Sequence, residues 1–393
     1  MSNPALAQES NAAGMAALRA GDATKAVEAF KHAAQADPEA LPLWINLAHA
    51  CRLAGDAKAE QAALERALAV DRTDFTANLR MAQLLQRLGE ESRALAAWSG
   101  VQQLAAQMPN LVPHVASELD AGLVYSAALQ ARLYERVDQA LGKSSASWDE
   151  TENRRLRAFV DTAMGKRQVY HNKCAGTFYP FLPQDEYFDR RHFPWLDELE
   201  AHHGAIKAEL EALLEAPDGT IRPYVQMDPG TPESTWTGLD GSLDWAACFL
   251  WEYGRKNLAV TDRCPQTAAL LESLPLARIP GRAPNAFFSM LEPHSHIPPH
   301  TGVTNTRTII HLALDIPPGC WFRVGNETRE WVEGKAFAFD DTIDHEALNP
   351  SDRRRAVLII DAWNPHLSEG ERKALLDYFA AADAALQGTS LLA

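Results

Sequence analysis

His300 and His345 are the residues whose types and spacing most directly suggest chemistry. They stand 45 residues apart, and Arg355 follows the second by ten. Neutral imidazoles ligate divalent metals, and two arriving from separate strands can share one ion while leaving positions open. A guanidinium set farther inside the same strands would pair with a carboxylate through two parallel hydrogen bonds. Other candidates lie nearby. His296 shares strand parity with His300 if the segment is extended, but Pro298 and Pro299 oppose that extension. His294 and His296 therefore suit the mouth of a site better than the metal itself. Asp340 and Asp341 could offer a carboxylate, although acidic turns ahead of a strand commonly cap backbone groups. Of Arg353, Arg354 and Arg355, only the last opens an apolar strand and points inward; the other two belong to a solvated turn.

The elements that must position these groups read as short strands and turns. Turn signals occur at Asp228-Pro229-Gly230, Leu239-Asp240-Gly241, Ile279-Pro280-Gly281 and Pro317-Pro318-Gly319. Strand candidates are Ala286–Leu291, 306–316, Trp321–Val324, 335–339 and Arg355–Trp363. Many short strands with regular turns predict a sandwich or jelly roll. Ahead of them, aromatic residues and prolines crowd residues 170–195, which reads as an arm laid over a neighbouring domain. One amphipathic helix is expected over 196–214.

The first third is periodic. Gly21, Gly55 and Gly89 recur every 34 residues, followed by Asp22, Asp56 and Glu90. Phe30, Leu64 and Trp98 share one register, and Ala33, Ala67 and Val101 another. Each unit reads as two helices joined at the glycine turn. The period resembles the tetratricopeptide repeat over residues 5–105. Such arrays form a groove for a protein or peptide partner, or pack on the rest of the chain or a second copy. Pro109 and Pro113 interrupt the pattern, and 106–165 reads as irregular helix. Arg154, Arg155, Arg157, Lys166 and Arg167 are expected on a solvated helix face.

Composition narrows the function. The 393 residues are 46% hydrophobic and 23% charged, with a formal net charge of −15. An acidic chain is a poor binder of phosphate backbones, so no nucleic-acid partner is expected. The five cysteines, Cys51, Cys174, Cys248, Cys264 and Cys320, are scattered and contain no C-x-x-C pair. That predicts free thiols in a reducing compartment. No signal-peptide pattern opens the sequence, and no apolar run approaches the roughly 20 residues that span a bilayer. No membrane partner and a cytoplasmic location are the expectation.

The region from 195 to 368 resembles the aspartyl/asparaginyl β-hydroxylases. The resemblance rests on Pro299-His300-Thr301-Gly302, Thr304-Asn305, Arg307, His311-Leu312, Gly319-Cys320, Asn326-Glu327-Thr328, Trp331, Glu333-Gly334-Lys335, Phe339-Asp340-Asp341, His345-Glu346 and Asp361, Trp363 and Pro365. It implies a double-stranded β-helix carrying Fe(II) on His300 and His345. The position that usually supplies a third, carboxylate ligand is Gly302. It implies 2-oxoglutarate as cosubstrate, its distal carboxylate on Ser289 and Arg355 and its chelating end near His311, with O2 as oxidant. The products would be succinate, CO2 and a β-hydroxylated Asp or Asn in a protein or peptide. One position departs: the arginine that the family often places two residues before His311 is Ile309 here. Arg307, one strand repeat earlier on the same face, either reaches the cosubstrate in its stead or is structural.

The resulting expectation is an α+β multidomain chain. Residues 1–140 form an α-solenoid of tetratricopeptide-like repeats, 141–215 a helical and aromatic connection, and 216–393 the jelly roll with a C-terminal helix. Two alternatives remain at this point: a scaffold with a non-catalytic jelly roll, or an oxygenase acting on a free amino acid.

Overall fold

Gly21, Gly55 and Gly89 adopt φ of +78°, +77° and +70°, the left-handed region that glycine enters without penalty. Each ends one helix, and the acidic residue after it begins the next. Asp22 accepts a hydrogen bond from the Lys25 amide at 3.0 Å and Asp56 one from Ala59 at 2.9 Å, as helix N-caps do. Two Gly-Asp pairs and Gly89-Glu90, whose Glu90 side chain makes no cap, thus turn three helical hairpins: α1 (Pro4–Arg19) with α2 (Ala23–Ala36), α3 (Leu41–Ala54) with α4 (Ala57–Val70), and α5 (Phe75–Leu88) with α6 (Glu91–Ala105). The computed structural model describes residues 2–108, 110–144 and 147–385. Pro109, and residues 386–393 at the end of the expected sheet domain, lie outside them.

The residues that repeat are the ones that pack. Phe30, Leu64, Trp98, Ala33, Ala67 and Val101 are all buried. Burying one face of each hairpin on the next is what holds short helices together, because an isolated helix of 14 residues is marginal in water. A long helix α7 (Pro113–Ser144) follows, with Val115, Leu119 and Tyr125 packed against the Trp98 cluster.

The chain divides into two compact units, 1–148 and 149–393. The stretch expected as a connection from 141 to 215 is divided by that boundary, and from Asp149 onward it belongs with the sheets. The basic residues expected on a solvated face of α8 (Glu150–Ala163) and just after it partly serve as anchors instead. Arg154 binds Asp185 at 2.7 Å and Glu327 at 2.6 Å, and Arg167 binds Glu186. The aromatic arm contributes an edge strand β1 (Tyr187–Phe188). The single helix expected over 196–214 is two, α9 (Leu196–Ala201) and α10 (His203–Glu215).

The sheet unit contains β2 (Arg222–Pro223), β3 (Trp245–Glu252), β4 (Arg255–Lys256), β5 (Ala286–Leu291), β6 (Ser295–His300), β7 (Arg307–Asp315), β8 (Trp321–Val324), β9 (Glu327–Glu330), β10 (Ala336–Phe339), β11 (His345–Asn349) and β12 (Arg355–Trp363). Helices α11 (Leu258–Thr261) and α12 (Pro265–Ser273) follow β4, and α13 (Glu369–Ala385) follows β12. The strands form two antiparallel sheets. The larger runs β1-β10-β7-β12-β5-β3-β2, with β4 beside β3, and the smaller runs β6-β11-β8-β9. This is the jelly roll.

Side-chain alternation gives the large sheet two apolar faces. Ile310, Leu312, Leu358, Ile360, Phe288 and Cys248 pack against Leu199, Ile206, Leu210 and Leu271 of the helices. Their neighbours along the strands, including Ala313, Val357, Leu291 and Trp245, face Ile297, Phe322 and Ala347 of the small sheet. The functional candidates lie on this second, inter-sheet face.

Candidate active site

His300 ends β6 and His345 begins β11, and the two are direct cross-strand partners. Between Ile297 and His300 the β6 strand carries one residue more than its partner, because Ala347 pairs with Ile297 while His345 pairs with His300. A bulge of this kind re-aims the side chain beyond it. His300 consequently joins Ile297 in lining the inter-sheet cavity, whereas His296 is turned outward to Glu346 at 2.8 Å. His294 pairs with the exposed Asp352 at 2.9 Å. Neither of these two histidines lines the cavity.

The two imidazole rings lie 4.0 Å apart between centroids. His300 Nδ1 is 2.8 Å from the Pro298 carbonyl and His345 Nδ1 is 2.9 Å from that of Ile343. A carbonyl only accepts, so each Nδ1 carries the proton and donates, leaving each Nε2 as a lone-pair donor. Burial holds both rings below the usual histidine range, His345 furthest, with His300 adding to its shift. Two neutral imidazoles with free Nε2 atoms are what a divalent ion requires. Among the described residues, no group of three His, Cys, Asp or Glu side chains is arranged to hold a metal; His300 and His345 are the pair that could offer two donors to one.

Arg355, Ser289 and His311 occupy the facing strands β12, β5 and β7. Arg355 is 1% exposed. Its Nη1 lies 3.4 Å from both the Ser289 carbonyl and Ser289 Oγ, and the guanidinium stacks 4.9 Å from the centre of Trp331. Its Nε has no hydrogen-bond partner, and no carboxylate forms an ion pair with it among the described residues. Burial pulls its pKa down to about 10. A buried cation without a counter-ion is costly, and an anion entering the cavity could offset that cost. Ser289 Oγ also accepts from Trp245 Nε1 at 3.1 Å. His311 is enclosed by Phe322, Phe337 and Phe339. Its Nδ1 is buried without a partner, and burial and Arg355 hold the ring well below the usual range.

Arg307 lines the same cavity, as its strand parity predicts. Its charge is already matched: Nη1 is 2.7 Å from Asp361 Oδ2 and 3.3 Å from the Arg282 carbonyl. Asp361 Oδ2 is fixed in turn by the Asn285 amide at 2.8 Å. Of the two roles open to Arg307, the geometry matches the structural one, because a guanidinium bound to a buried carboxylate has little charge left for a second.

Asp340 and Asp341 have separate fates. Asp340 caps its turn, accepting from the Thr342 amide at 3.0 Å and from Asn172 at 2.7 Å. Asp341 instead lines the cavity with Oδ1 unpartnered. Burial and the neighbouring Asp340 push its pKa up to about 8. It fills the space beside Gly302: a Cβ at that position would lie 1.9 Å from Asp341 Oδ2. A carboxyl from another loop occupies the space that a side chain at 302 would need, and such a side chain would have to displace it. The sequence presents Asp341 as a turn residue, and nothing in its spacing reveals this placement.

The cavity measures about 590 Å³. Trp236, Trp245, Tyr224, Phe249 and Phe287 also line it, with the Trp236 ring 4.9 Å from that of His300. Trp245 and Phe249 escape the sequence reading because β3, which carries them, is not among the expected strands; Tyr224 and Trp236 lie outside any strand, and Phe287 lies on an expected strand without a motif that marks it.

Residues 200–365 match the aspartyl/asparaginyl beta-hydroxylase family. The aspartyl/asparaginyl beta-hydroxylase of Mus musculus is 41% identical over 134 residues, 34% of this chain and 18% of that protein. The ornithine lipid ester-linked acyl 2-hydroxylase of Rhizobium tropici is 35% identical over 190 residues, 48% of this chain and 63% of that protein. The chain thus spans less than two thirds of each of these relatives. The helical region aligns with the TPR2B domain of yeast Sti1 at 23% identity and TM-score 0.29, covering 32% of this chain and 98% of that one. The jelly roll, the paired histidines and the sequence match agree, and residues 200–365 belong to the aspartyl/asparaginyl beta-hydroxylase family.

Proposed function

We propose that the chain hydroxylates the β-carbon of an Asp or Asn side chain in a protein or peptide, using Fe(II), 2-oxoglutarate and O2 and releasing succinate and CO2. The observation that carries this is the buried Arg355, which pairs with no carboxylate among the described residues, in the same cavity as two imidazoles whose Nε2 atoms are left as lone-pair donors. His300 and His345 would hold the metal. Iron bound there would couple oxidative decarboxylation of 2-oxoglutarate to hydroxylation of a C–H bond. Arg355 and Ser289 Oγ would bind the distal carboxylate, and His311 would stand near the chelating end. Trp245 steadies Ser289 through its indole N–H, and the aromatic walls keep bulk water from the reacting groups. The helical repeats would dock the protein or peptide that carries the target. Among the described residues no helix is long and apolar enough to cross a membrane, and the five cysteines are free. Both fit the cytoplasmic location that we propose.

The test is incubation of the full chain with Fe(II), 2-oxoglutarate and candidate peptides in air. Succinate and a peptide gaining one oxygen atom are expected, and His300→Ala should lose both iron uptake and turnover. Absence of iron binding together with absence of succinate for the native chain would overturn the reading. A second reading, hydroxylation of an acyl chain, is favoured by the aromatic cavity wall; a fatty-acyl substrate in the same assay decides between them.

A further inference from the structure

Four arginines border the cavity, and three are committed. Arg222 is bound to Glu252, Arg282 to Asp383 at 2.7 Å and Arg307 to Asp361 at 2.7 Å. The fourth, Arg355, stands at the Ser289 end, where the proposed function assigns it to the cosubstrate. Carboxyl groups are better supplied: Asp341 and Asp361 both line the cavity, and Asp341 Oδ1 has no hydrogen-bond partner. Much of the remaining wall is apolar. Phe287 stacks 5.4 Å from Tyr224 and 4.8 Å from Phe249, and Ile279, Ile309 and Phe379 extend the surface.

A target carboxylate entering this space would lose its hydration without meeting an uncommitted arginine, and it would bring its charge beside the Asp361 carboxylate. A carboxamide differs on both counts. It carries no charge, and it both donates through N–H2 and accepts through C=O, so it can pair with the Asp341 carboxyl, whose Oδ1 has no partner, in either protonation state. We infer that this cavity, within the hydroxylase reading on which the inference rests, takes the carboxamide of an Asn side chain flanked by apolar residues and rejects Asp.

Two peptide libraries test this, one with a fixed central Asn and one with a fixed Asp, each randomised at the flanking positions. They are passed over the full chain immobilised under nitrogen with Fe(II) and 2-oxoglutarate, so that retention is read without turnover. The Asn library should be retained about tenfold better, a difference of roughly 1.4 kcal/mol, with aromatic and aliphatic neighbours enriched. Ile309→Arg, which adds a cation to the wall, should move retention toward the Asp library. Asp361→Asn, which frees Arg307, should do the same and covers the case in which Ile309→Arg does not fold. Equal retention, preference for Asp, or retention of neither library overturns the inference. Succinate release in air separates the two failures. Succinate with Asp peptides or acyl substrates alone overturns the Asn inference and keeps an oxygenase. Absence of succinate with every substrate removes the hydroxylase reading itself.

Discussion

Arg307 and Arg355 sit at two ends of one cavity, on inward positions of adjacent strands of the large sheet, and they differ in what faces the charge. Arg307 meets Asp361 at 2.7 Å, and Asp361 is itself held by Asn285. Arg355 meets a serine and the face of a tryptophan, with its Nε unpartnered. The first end is closed within the fold, whereas the second has no carboxylate partner among the described residues. Burial of a charge therefore does not by itself mark a binding site; burial without a counter-ion does.

The sharpest way to break this comparison is to remove each charge in turn. Arg355→Met should weaken 2-oxoglutarate binding by roughly 2–5 kcal/mol while leaving the melting temperature of the ligand-free chain unchanged or higher. Arg307→Met should do the reverse, costing about 3–5 kcal/mol of stability by stranding Asp361 and sparing cosubstrate affinity. Calorimetric titration and denaturant melts of both variants read this directly, and matching profiles for the two would end the distinction.

A smaller effect is expected beside the histidines. Gly302→Ala places a methyl group where Asp341 Oδ2 now lies, so the carboxyl must move, at a cost of about 1–3 kcal/mol. Urea unfolding measures it, and an unchanged midpoint would mean that Asp341 is not held against the 302 backbone. The smallest effect comes from titration. His345 is held neutral in the folded chain, its pKa well below the ordinary 6.5. Below about pH 6.5 the unfolded chain therefore takes up a proton that the folded chain does not. Stability should fall with falling pH by up to about 1.4 kcal/mol per unit from this group. His345→Gln should flatten the slope between pH 6.5 and 5.5, and an unaltered slope would show that the ring is not kept neutral.

Legibility in the sequence followed how local each determinant is. The helical hairpins were readable because Gly-Asp turns and the repeating Phe30, Leu64 and Trp98 act within one period. Ala286–Leu291, Trp321–Val324 and Arg355–Trp363 were found with their bounds because apolar runs between turns announce strands. Strand β6 was harder, since Pro298 and Pro299 argue against extension, yet they lie inside it where the bulge relaxes the ladder. Arg154 read as a surface charge because its partners Asp185 and Glu327 are 31 and 173 residues away.

The sequence by itself determined the two kinds of architecture and nominated the paired histidines and Arg355, since residue type, spacing and strand pattern act along the chain; Ser289 and His311 entered only through the resemblance to the hydroxylase family. Only the tertiary structure decided which arginine has a partner, which way His296 turns, and that Asp341 fills the space beside Gly302. Those outcomes depend on which groups meet across two sheets, and no local period carries that information.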